Sequence, residues 1–65
     1  MSDTVTIRCK HGAETDKAVQ ITDLDDGVVY WLPLSHVVAR TRQADDRSLG
    51  TVTMTGWIAR AKGIT

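Results

Sequence analysis

The chain has 65 residues, with eight acidic and eight basic side chains, and Cys9 is its only cysteine. A chain this short buries only about 60% of the surface that its unfolded form exposes, so we expect one domain over residues 1–65 with a small margin of stability. Balanced charge excludes a general attraction to nucleic acid or anionic membranes, and a lone cysteine excludes an internal disulfide.

Alternation of polar and apolar residues predicts the first two strands. Residues 4–9 alternate with β-branched side chains, and residues 11–16 supply turn formers and charge without any period. Residues 17–23 alternate again, which places Val19 and Ile21 on one face. We therefore expect a strand, a loop and a second strand.

A hairpin is predicted next, because Asp-Gly within residues 25–27 supplies the backbone conformation that a tight turn needs. The third strand then covers residues 28–32, antiparallel to the second. Pro33 cannot donate a ladder hydrogen bond, so it belongs at a strand end, a bulge or an edge. We expect a corner at residues 34–36 and a fourth strand at residues 37–42.

The third strand carries apolar groups on both faces. Tyr30 and Leu32 point to one side, whereas Val29 and Trp31 point to the other. Each face needs cover. We expect one of them to line the interior of the sheet.

The C-terminal part predicts a last strand and a short helix. Residues 43–50 are polar and rich in turn formers, and residues 51–54 alternate again. Thr55 is placed to cap a helix, and Gly63 is placed to end it. We expect this helix to cover part of the second face of the sheet through Trp57 and Ile58.

These elements indicate a mainly β fold. We expect a small curled antiparallel sheet, or a partly open barrel of four to five strands, with one short C-terminal helix. Small domains without disulfides often gain stability from another subunit, so a homo-oligomer is also expected.

Three motifs in order carry a family resemblance. They are Glu-Thr-Asp-Lys-Ala at residues 14–18, Trp-Leu-Pro-Leu-Ser at residues 31–35 and Trp-Ile-Ala-Arg-Ala-Lys-Gly at residues 57–63. This order resembles a family of small phage and prophage proteins with the patterns E-T-x-K-A, W-[IL]-P-x-S and W-[IL]-A-x-x-K-G. The family usually has Lys where this chain has Leu34, and often Gln where it has His36. The resemblance implies a phage origin and a small binding role.

Metal binding and catalysis have weak signals. Cys9, His11 and His36 could be ligands, but a closed zinc site normally needs four ligands at paired spacings. Ser35 next to His36 suggests a nucleophile and its base, yet adjacent residues in a turn point away from each other. We expect no metal, no cofactor and no enzymatic activity.

The leading functional hypothesis is a non-enzymatic protein that occupies the surface of another protein, such as a host defence factor. The acidic hairpin tip can dock against a basic surface. The expected contact residues are Tyr30, Trp31, Leu34 and His36, with Asp23, Asp25 and Asp26 at the tip.

Two alternatives remain open. Arg40 and Arg42 share a strand face, and an accessory protein could use them to bind single-stranded nucleic acid. Arg60, Lys62 and a nearby aromatic side chain, Trp31 or Tyr30, would complete that surface. The other alternative is a structural, oligomer-forming phage component. The N-terminus lacks a secretory pattern and no apolar run spans a bilayer, so we expect the cytoplasm of a bacterial host cell.

Overall fold

A computed structural model describes residues 3–64. The elements are β1 (Thr4–Glu14), β2 (Ala18–Asp23), β3 (Val29–Pro33), a 3₁₀ turn (Leu34–His36), β4 (Val37–Arg42), β5 (Leu49–Thr55) and helix α1 (Gly56–Ala61). The five strands form one open antiparallel sheet in the order β3-β2-β1-β5-β4. The predicted mainly β class, with its open sheet and short C-terminal helix, is confirmed.

Two strand boundaries differ from the prediction by more than one residue. β1 continues to Glu14 instead of ending at Cys9, because an irregularity between His11 and Glu14 lets the strand bend and keep pairing with β2. β5 begins at Leu49 rather than Thr51. Leu49 pairs with Lys10 of β1, and this neighbour cannot be seen in the local sequence.

The sheet is strongly curled. β3 and β4 are its opposite edges, yet only residues 34–36 connect them. Four strand spacings in a flat sheet amount to about 19 Å, whereas four Cα steps reach at most about 14 Å. Contacts that skip β5 confirm the curl, because His11 Nε2 of β1 lies 2.8 Å from the Thr41 carbonyl oxygen of β4.

One cluster of buried side chains fills the concave face of the sheet, called here the core face. Helix α1 packs onto this same cluster, to which it contributes Ile58 and Ala59. The expectation that the helix covers the opposite, outer face is therefore wrong: Ile58 turns into the core and Trp57 stays 62% exposed. The cluster comprises Cys9, Val19, Ile21, Leu32, Val52, Met54, Ile58 and Ala59.

Threonine side chains dominate the outer face of β1, β5 and β4. Thr6 Oγ1 lies 2.8 Å from Thr53 Oγ1, and Thr41 Oγ1 lies 2.7 Å from Thr51 Oγ1. These cross-strand hydroxyl pairs satisfy one another and tolerate water. These threonines need no apolar cover, although Val38 of β4 is 59% exposed.

Candidate functional site

β3 is an edge strand, and the hydrogen bonds at its two ends fix which of its residues bond to β2. The Asp23 amide donates to the Val28 carbonyl at 2.9 Å, and the Leu34 amide donates to the Lys17 carbonyl at 2.8 Å. In an antiparallel pair, bonded and non-bonded positions alternate. Every second residue of β3 between these two bonds therefore turns its backbone groups towards β2.

The alternation assigns each residue of β3 a direction. Tyr30 and Leu32, opposite Ile21 and Val19, bond to β2. Val29 and Trp31 direct their N–H and C=O groups away from the sheet. Within residues 3–64, β3 pairs with β2 alone, so these groups face solvent. We call the outward backbone of Val29 and Trp31, with their two side chains, the β3 edge.

The side chains of the β3 edge are apolar and exposed. Val29 is 50% exposed and Trp31 is 43% exposed, and both lie on the outer face of the sheet. Leu24 and Val28 at the neighbouring turn are exposed too. Exposed apolar side chains beside unpaired backbone are features that allow a strand edge to pair with another chain.

The opposite edge, β4, is protected. Its pairing with β5 is interrupted between Val37 and Ala39, and Arg40 and Arg42 follow along the strand. A bulge and charged side chains are the features by which natural proteins prevent unwanted strand pairing. The register of β3 against β2 is regular and its two outward residues are uncharged. Of the two edges, β3 is the one open to a new strand.

The acidic turn lies at one end of the β3 edge. Asp25 and Asp26 are exposed, and we call this pair the acidic tip. Asp23, a predicted contact residue at this tip, is only 6% exposed and has little side-chain surface to offer a partner. Its Oδ1 accepts a hydrogen bond from the Asp25 amide at 2.9 Å. Asp23 therefore shapes the turn from inside.

A groove of about 430 Å³ lies at the other end of the edge. Predicted contact residue Leu34 lines it but is half-buried and packs against the core. Leu34 therefore forms part of the groove wall and does not present an exposed side chain. The lining residues are Asp16, Lys17, Pro33, Leu34 and Ser35.

Tyr30 lies on the core face of β3, half-buried against the core cluster. Partial burial, together with the negative charges of Asp26 and Asp23, raises the pKa of the Tyr30 hydroxyl. The phenol is therefore neutral near neutral pH. Its ring lies on the opposite side of the strand from the predicted contact residue Trp31.

His36 belongs to a different surface. Its ring stacks on Trp57 with centroids 5.1 Å apart, and its Nδ1 lies 3.1 Å from Thr55 Oγ1. The stack ties the 3₁₀ turn to helix α1. Thr55 also caps this helix, so the imidazole contacts both the cap and the first turn of α1.

The predicted nucleic-acid residues are mostly engaged within the chain. Arg40 pairs with Glu14 at 2.7 Å, Arg42 donates to the Arg47 carbonyl at 2.8 Å, and Arg60 pairs with Asp3 at 3.0 Å. Lys62 is exposed on the last turn before Gly63.

The two aromatic residues proposed as partners of these arginines lie on different faces. Tyr30 is on the core side of the sheet, as Arg40 is, and Trp31 is not. Arg40 pairs across from buried Val52, on the core side of β4, whereas Trp31 lies on the outer side of β3. The structure does not bring Trp31 and these arginines together on one face.

Cys9 and His11 share the core face, as their spacing predicts, but both are buried. Burial, together with the negative charge of Asp23, raises the pKa of the Cys9 thiol. His11 donates from Nε2 to the Thr41 carbonyl, because a carbonyl oxygen only accepts. Among residues 3–64, no three His, Cys, Asp or Glu side chains converge as a metal site would require.

Comparisons with family models, curated proteins and solved structures find no match to this chain. The resemblance to phage proteins therefore stays a prediction. No helix within the described range is long and apolar enough to cross a membrane.

The sequence analysis did not include Val29 among the candidate contact residues, although Val29 is 50% exposed beside Trp31. The missing information was the position of β3 at an edge of the sheet, which no local pattern encodes. The alternation of side chains around Tyr30 did place Val29 with Trp31 on one face, as the structure confirms.

Proposed function

We propose that this chain is a small protein-binding module that accepts an extended segment of another protein along β3. The segment adds as a sixth strand next to β3. Its backbone pairs with the outward groups of Val29 and Trp31, and its side chains pack beside theirs. Main-chain hydrogen bonds supply affinity in this mode, and side chains on alternate positions supply specificity.

The observation that carries the proposal is the contrast between the two edges. β4 has a bulge and two arginines, whereas β3 keeps a regular register and exposes Val29 and Trp31. Proteins usually block a free edge because it templates aggregation. β3 carries such a blocking residue only at its last position, Pro33. An edge left open before it, with an exposed tryptophan, is consistent with selection for binding.

The ends of the edge define the chemistry of the partner. Asp25 and Asp26 favour a basic side chain near one end of the segment. The groove at the other end holds one acidic and one basic side chain, Asp16 and Lys17, and so favours no single charge there. Between the two ends we expect apolar side chains at every second position. The resemblance to phage proteins makes a host protein the expected source of such a segment.

The test is a selection from a library of random peptides against the immobilised protein, followed by mapping of the binding site by nuclear magnetic resonance. We expect peptide-induced changes to centre on residues 28–34. Trp31→Lys should weaken binding by more than about tenfold, as loss of a central aromatic contact usually does. Trp57→Lys is the matched control, because Trp57 is exposed but lies on helix α1.

Binders whose contacts map to helix α1, or that bind the Trp31→Lys variant equally well, would contradict the proposal. Single-stranded DNA serves as a comparison ligand in the same titration. Salt-sensitive DNA binding that is lost in an Arg42→Ala variant would favour the nucleic-acid alternative instead.

A further inference from the structure

The β3 edge is complementary to itself, and we propose that a second copy of this chain occupies it in a two-fold antiparallel pairing centred on Tyr30. The inference rests on the proposed function, since it uses the same strand-adding edge. It names the resting occupant of that edge, which a partner segment must displace.

The backbone geometry favours this register. When Tyr30 lies on the two-fold axis, Val29 of one protomer stands opposite Trp31 of its partner, and the reverse pair forms by symmetry. Both residues direct N–H and C=O outward, so the two pairs form four hydrogen bonds. A register centred on Trp31 instead would place Val29 opposite Pro33, which has no N–H to donate.

The side chains fit the same register. Val29 and Trp31 both lie on the outer face, so each tryptophan ring packs across from a valine of the partner protomer. Aromatic and β-branched residues are a favourable cross-strand pair. The two Tyr30 side chains meet on the core face at the axis. The pairing covers side chains that are 43% and 50% exposed in one copy.

Charge does not oppose this register. The groove at the end of β3 contains both Asp16 and Lys17, so its two charges balance. Net charge is zero at pH 7, so no general repulsion opposes the pairing.

The first test measures molar mass by light scattering across a concentration series. We expect the mass to rise from the 7.1 kDa monomer to twice that value with increasing concentration. Trp31→Lys should weaken the dimer by more than about tenfold, whereas Trp57→Lys should leave it unchanged. A monomer at every concentration up to about 1 mM overturns the inference, as does a dimer that Trp31→Lys does not weaken.

A cross-linking test checks the register. Tyr30→Cys places two thiols at the axis and should form disulfide-linked dimers under mild oxidation, since facing Cα atoms there lie within disulfide range. Val29→Cys alone should not cross-link, because it faces Trp31. A mixture of the Val29→Cys and Trp31→Cys proteins should give mixed dimers. The native thiol is a suitable background, because Cys9 is fully buried.

The mixture also tests the register if Tyr30→Cys fails to fold, since Tyr30 packs against the core. Efficient self-linking of Val29→Cys overturns the register. A monomer that still binds selected peptides at β3 removes this inference and leaves the proposed function. A dimer through β3 that binds no peptide supports this inference and removes the proposed function.

Discussion

At the scale of single residues, Gly50 permits the close approach of β5 and β4 that the curl of the sheet requires. It is buried in β5 and lies between Cys9 of β1 and Arg42 of β4. A Cβ added here would overlap the Thr41 carbonyl and come within 2.9 Å of the Arg42 Cα. Both obstacles are backbone, so they cannot rotate away. The Thr41 carbonyl also accepts the His11 hydrogen bond, which makes its position doubly constrained.

We predict that Gly50→Ala lowers the free energy of unfolding by roughly 3 kcal/mol or more, because overpacking against fixed backbone is costly. Urea denaturation measures the loss. Gly27→Asn is the control: Gly27 has φ +73° and no atom within 4 Å of an added Cβ, and asparagine tolerates this conformation. Gly27→Asn should lower the free energy of unfolding by less than about 1 kcal/mol. Equal costs at the two glycines would contradict the account of Gly50.

At the scale of elements, local signals in the sequence predicted most of the strands. The Asp-Gly turn, the alternation in β2 and the stop at Pro33 act over a few residues, and each appears in the structure. The extension of β1 and the early start of β5 depend on pairing partners distant in sequence. The side of the sheet that helix α1 covers depends on the curl. Local patterns contain neither kind of information.

Helix α1 has only six residues and depends on its cap. The Thr55 hydroxyl accepts from the Ile58 amide at 3.3 Å and contacts His36. We predict that Thr55→Ala lowers the free energy of unfolding by about 1 kcal/mol, the usual cost of a lost N-cap. Thr55→Ser keeps the hydroxyl and should therefore retain most of the free energy of unfolding that Thr55→Ala loses. If alanine and serine gave the same stability in urea denaturation, the cap would have no role.

At the scale of the whole molecule, contacts between elements that are not neighbours in the sheet hold the curl. Arg40 of β4 reaches Glu14 at the far end of β1, although β5 separates these strands. His11 crosses the same gap. The curl joins the two edges through a short turn but leaves them unpaired, which is why β3 remains available. The sequence pattern predicted curvature but not the strand order that makes β3 an edge.

The Arg40–Glu14 pair predicts a pH dependence. The hydrogen bond and positive charge from Arg40 hold the pKa of Glu14 below its ordinary value of 4.5. A carboxyl whose pKa is lowered by folding stabilises the fold at pH values above its pKa in the unfolded chain. This contribution is lost as the pH falls through the lowered pKa of the folded state. Glu14→Gln should therefore destabilise the protein more at pH 7 than at pH 3.

A double-mutant cycle with Arg40→Gln, measured by thermal unfolding at both pH values, isolates the pair. We expect a favourable coupling at pH 7 that shrinks at pH 3. A coupling that is the same at both pH values would show that the charge of Glu14 does not help to hold the curl of the sheet.

The free edge of β3 is tested most directly by residue-resolved amide hydrogen exchange. In dilute, monomeric protein, we expect the amides of Tyr30 and Leu32 to exchange slowly, because they bond to β2. Those of Val29 and Trp31 should exchange fast and become protected at high concentration or with a bound peptide. Protection of Val29 and Trp31 equal to that of Tyr30 in the dilute monomer would contradict the account, because it would mean that the edge is already paired within the chain.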